Sequence, residues 1–151
     1  MPKELLPLTA ADFAQHPILV LSADPSRRRQ LQTLLGKLPC LPAKTKVISA
    51  DDDAANLPLY FNGQKFYSLI CLDTGLQQLS CDALSAAACT QAAGPLLLVA
   101  GNTPQDDQLV QLCLQQGAAS VVRAEHLNSH TLADAVQSAW QHFRLRLRAT
   151  Y

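Results

Sequence analysis

Ser68-Leu69-Ile70-Cys71-Leu72-Asp73 is a short apolar segment closed by a single carboxylate. Four consecutive apolar residues bounded by polar ones have the length and character of a strand buried on both faces, as in a parallel sheet. In an open sheet of that kind, ligands bind in the crevice outside the carboxyl ends of the strands. Asp73 therefore stands where a fold of this kind keeps a site or the remnant of one, and the residues around it decide between the two.

Runs of the same character recur on either side, and together with 69–72 the segments 18–21, 46–49, 96–99 and 120–122 make five expected strands. They alternate with amphipathic stretches, which is the sequence form of a doubly wound α/β fold: a five-stranded parallel sheet with helices on both faces. The helix punctuation agrees. Asp24-Pro25 supplies an N-cap and a first-turn proline for a helix to about Lys37, and Thr103-Pro104-Gln105-Asp106 does the same for one to about Gln116, which Gly117 then ends. The Ala- and Leu-rich stretch 80–92 reads as a further helix. The last helix is expected to begin near Thr131, where Thr-Leu-Ala-Asp resembles a capping box, and Leu132, Val136, Ala139, Trp140, Phe143 and Leu147 keep helical spacing. Between Asp51 and Lys65, Pro58, Asn62 and Gly63 interrupt any helix, so an irregular segment or a short helix is expected there.

Composition narrows the function classes. A chain of 151 residues, 48% hydrophobic and 16% charged, is one domain able to bury roughly 70% of its unfolded surface without staples. Twelve basic and twelve acidic residues cancel, so no overall field draws the chain to nucleic acid or an anionic membrane. The five cysteines (Cys40, Cys71, Cys81, Cys89, Cys113) are odd in number and lack C-x-x-C spacing. They read as reduced, buried thiols of a cytoplasmic protein. The first seventeen residues, broken by Pro2, Pro7, Asp12 and His16, read neither as a signal peptide nor as a membrane span.

Order, spacing and turn residues resemble the receiver domain of two-component response regulators over residues 16–143. The run Ile18-Leu19-Val20-Leu21-Ser22-Ala23-Asp24-Pro25 is similar to that family's first strand and acidic turn, and Leu69-Ile70-Cys71-Leu72-Asp73 to its third strand ending at the phospho-acceptor. Residues 95–101 resemble the fourth strand, and Gly117-Ala118-Ala119-Ser120-Val121-Val122 the turn into the fifth. The resemblance implies strand order 2-1-3-4-5. It also implies phosphoryl transfer to a strand-end aspartate, a step that needs charge on the phosphoryl oxygens neutralised, normally by Mg²⁺ and a cation. Here the chain departs from the family. Ser22 and Ala23 match the acidic pair that holds the metal, Ala100 matches the strand-4 hydroxyl residue, Val121 the strand-5 aromatic, and Ala124-Glu125 the lysine and proline. Arg123 is adjacent, but strand alternation points it to the other face. Only Asp73 survives, and a lone carboxylate is a poor ligand for a hard cation that wants several oxygens.

The reading is thus a degenerate receiver, or pseudo-receiver: a non-enzymatic signalling domain of a bacterial regulator, without cofactor or metal, acting by contact with protein partners. Self-association as a homodimer is expected through the last helix and fifth strand, with Arg123, Trp140 and Arg144 as anchors. Residues 1–15 read as an N-terminal extension and 144–151 as the end of the last helix and the start of a linker to an output domain. Direct nucleic-acid and membrane binding are not expected. Two alternatives stand beside it. One is a working receiver phosphorylated at Asp73, with Mg²⁺ held by Asp24 and a carboxylate from Asp51, Asp52 or Asp53. The other is a flavodoxin-like domain binding a small ligand at Ser22 and Ser26, although Asp24 would repel a phosphate there and no G-x-G-x-x-G run exists. His126 and His130, with Glu125 beside them, read as surface residues in the loop before the last helix rather than metal ligands. Asp24 reads first as a helix cap, Asn102 as a turn residue, and Arg144, Arg146 and Arg148 as complements of a helix dipole.

Overall fold

The computed structural model describes residues 16–38, 46–50, 67–75, 95–116 and 119–150. The N-terminal extension, the segment 51–65, the expected helix 80–92, Gly117 and the side chains of 144–150 lie outside the described part. Five strands, β1 (Ile18–Leu21), β2 (Val47–Ala50), β3 (Leu69–Asp73), β4 (Leu96–Ala100) and β5 (Ala119–Arg123), form one sheet in the order β2-β1-β3-β4-β5. Every neighbouring pair is parallel. The described helices are α1 (Pro25–Gly36), α2 (Pro104–Gln116) and α3 (Ser129–Thr150). None of the described helices is long and apolar enough to cross a membrane.

Burial explains why the central strands carry no polar residue before their last position. Every residue of β1 and β4, and β3 up to Leu72, is buried. Alternation divides them between two layers. Ile18, Val20, Leu69, Cys71, Leu97, Val99 and Val122 form one cluster with Leu31 and Leu35 of α1 and Leu132, Val136 and Ala139 of α3. Leu109 and Val110 of α2, both buried, lie outside that cluster. They belong to the opposite layer, where α2 packs on β4 and β5. Helices thus cover both faces, as the uninterrupted apolar runs require. Cys71, with its side chain in the first layer, has its thiol pushed up to about 12 by burial, so it is an inert packing group.

The helix starts follow capping chemistry. Asp24 is the N-cap of α1 in an extended conformation, its carboxylate accepting from Ser26 N at 2.9 Å, and Pro25 opens the first turn. Thr103 and Asp106 cap α2 reciprocally: Asp106 N donates to Thr103 Oγ1 and Thr103 N to Asp106 Oδ2, both at 3.1 Å. The last helix departs from expectation. It starts at Ser129, because Asn128 is the cap, accepting from His130 N at 2.9 Å and Thr131 N at 3.0 Å. Thr131 serves as its partner, with Oγ1 accepting from Asn128 N at 3.0 Å. His130 consequently lies in the first turn of α3, paired with Asp134 at 3.5 Å, and His126 in a single 3₁₀ turn over Ala124–His126, so neither is in a plain loop.

Ile70 is fully buried on β3, between β1 and β4. Ile70→Ala is expected to lower the free energy of unfolding by about 2–5 kcal/mol in chemical denaturation. A loss of only a few tenths of a kcal/mol would show that β3 is not the central strand.

Candidate functional site

The carboxyl rim of the sheet gathers the ends of β1, β3, β4 and β5. Pairing in register sets Leu21 beside Leu72 and Asp73 beside Val99, so the residues just past these strands meet over one crevice. Asp73, half-buried, is the only acid on the three central strands. Its carboxylate is already engaged. Ser22 Oγ donates to Asp73 Oδ2 at 2.6 Å, and Gly75 N donates to Asp73 Oδ1 at 3.0 Å. Ser22 is fully buried, and its hydroxyl oxygen also accepts from Asp24 N at 3.2 Å. Its carbonyl is held by Arg28 Nη1 at 2.6 Å, which ties the first turn of α1 back onto the end of β1.

The β4 side of the crevice is closed in the same manner. Gly101 N donates to Thr74 Oγ1 at 3.0 Å, linking the turn after β3 to the turn after β4. Gly101 O accepts from Arg123 Nη1 at 2.8 Å, and the same nitrogen pairs with Asp107 Oδ1 of α2 at 2.9 Å. Arg123 therefore reaches α2, on the face opposite Asp73, in keeping with strand alternation. A Cβ on Gly101 would stand 2.5 Å from Asp106 Oδ2, the oxygen that caps α2, so a larger residue here would push that carboxylate from its cap. Asn102, exposed at the same end, donates to Glu125 Oε2 at 3.3 Å.

A hard cation needs several oxygen ligands, and these residues do not assemble them. Ala23 has no donor, and one carboxylate oxygen of Asp24 is used in its cap. Among the described residues no group of three or more His, Cys, Asp or Glu side chains is placed to hold a metal. The described donors by themselves therefore do not make up a Mg²⁺ site. Ala100, Val121 and Ala124 add no polar side chain to the crevice. Asp51, Asp52 and Asp53, weighed above as metal ligands, lie outside the described residues. Of the expected contact residues, Arg123 is engaged with Asp107, and Trp140 is half-buried against the core; the side chain of Arg144 lies outside the described part.

Sequence reading missed three members of this network: Thr74, Gly101 and Arg28. A hydroxyl directly after the strand-end acid, and a glycine directly after β4, were the available signals. Ser22 was identified as a lost acid and, in the flavodoxin-like alternative, as a ligand contact, whereas its hydroxyl makes the shorter bond to Asp73.

No family model matches the chain, and no curated protein matches it in sequence. Solved structures do. The receiver domain of an HD domain-containing protein from Pseudomonas fluorescens superposes with a TM-score of 0.64 at 18% identity, covering 88% of this chain and 92% of that one. Full-length FixJ from B. japonicum gives 0.66 at 21% identity over 89% of this chain and 62% of FixJ. A protein of Burkholderia pseudomallei provisionally assigned to pilus assembly gives 0.65 at 22% identity, covering 86% and 92%. The chain has the fold of response-regulator receiver domains.

Removing the Ser22 hydroxyl leaves Asp73 Oδ2 without its short bond. Ser22→Ala is expected to cost about 1–3 kcal/mol of stability. In an Asp73→Ala background the same change should cost only a few tenths of a kcal/mol. Equal costs in both backgrounds would show that the two side chains are not coupled.

Proposed function

We propose that this chain is a pseudo-receiver: a signalling domain that works through contacts with other proteins and does not accept a phosphoryl group at Asp73. The observation that carries this reading is that the polar groups of the crevice rim are bonded to one another. A carboxylate nucleophile must present a lone pair to the incoming phosphorus while preorganised donors or cations meet the developing charge, and bonds already made on its oxygens compete with that approach. Here one oxygen of Asp73 holds the Ser22 hydroxyl and the other holds Gly75 N. The amide of Gly101, the donor after β4, is taken by Thr74. Ser22 brings no charge where the resemblance would require an acid, and Ala100 brings no hydroxyl. The structural likeness to receiver domains supports a signalling role for the fold. The closed rim supports one without chemistry.

Such a module acts only through contacts whose free energy differs between partners or states. A homodimer through α3 and β5, and an attached output domain, belong to this reading. The alternative of a flavodoxin-like ligand site is disfavoured by Ser22, which is buried with its proton directed to Asp73.

Phosphotransfer tests the reading. On incubation with acetyl phosphate and Mg²⁺, intact-mass measurement is expected to show no phosphoryl adduct. An adduct that disappears in Asp73→Asn would establish the chain as a working receiver.

A further inference from the structure

We draw no further inference here: the strongest candidate, the groove of about 400 Å³ between the edge strand β5 and α3, lined by Ser120, Val122, Thr131, Asp134 and Ser138 among others, carries nothing, because nothing among the described residues shows what covers it.

Discussion

A parallel sheet covered on both faces can place polar groups only at its two rims, and here the carboxyl rim is organised around the hydrogen bond from Ser22 Oγ to Asp73 Oδ2. That bond joins the end of β1 to the end of β3, residues 51 apart in sequence. Around it the chain arranges Asp24 N on Ser22 Oγ, Arg28 on Ser22 O, and Gly75 N on the second carboxylate oxygen. Ser22 is fully buried, so its hydroxyl would be costly to leave without a partner, and Asp73 supplies a charged acceptor. The carboxylate at the position a receiver would use as a nucleophile is here the acceptor of two internal hydrogen bonds.

The network reaches beyond the crevice. Thr74 and Gly101 carry it from β3 to β4, and Arg123 carries it from Gly101 to Asp107 on α2. A single guanidinium therefore connects the β4 turn, the end of β5 and the first turn of α2. Loops at strand ends ordinarily hold the mobile, ligand-responsive parts of an α/β fold. In this protein the first residues past β3 and β4 are joined by a hydrogen bond from Gly101 N to Thr74 Oγ1.

Much of the fold was legible because its signals are local. Continuous apolar runs marked all five strands to within a residue or two, and Asp24-Pro25 and Thr103-Pro104 marked two helix starts through chemistry confined to one turn. The start of α3 was read from Thr131, yet Asn128 is the cap. Both residues can form a capping box, and sequence spacing alone does not say which side chain accepts and which returns the bond. The candidate site was legible only in outline. The position of Asp73 followed from strand order, and the direction of Arg123 from alternation. The bonds that define the site join residues 22 with 73, 74 with 101 and 101 with 123, and each depends on register and turn geometry that periodicity does not carry. Counting lost charges identified Ser22 as a deficit, whereas its hydroxyl is the group that holds the acid.

The most direct test of this account is a nuclear magnetic resonance titration of the ¹⁵N-labelled chain with Mg²⁺ and beryllofluoride, following the amides of Gly75 and Gly101. Both amides are committed to internal acceptors, so the account predicts that their resonances stay in place while the complex is sought. Saturable shifts centred on these two glycines, and abolished by Asp73→Asn, would contradict it.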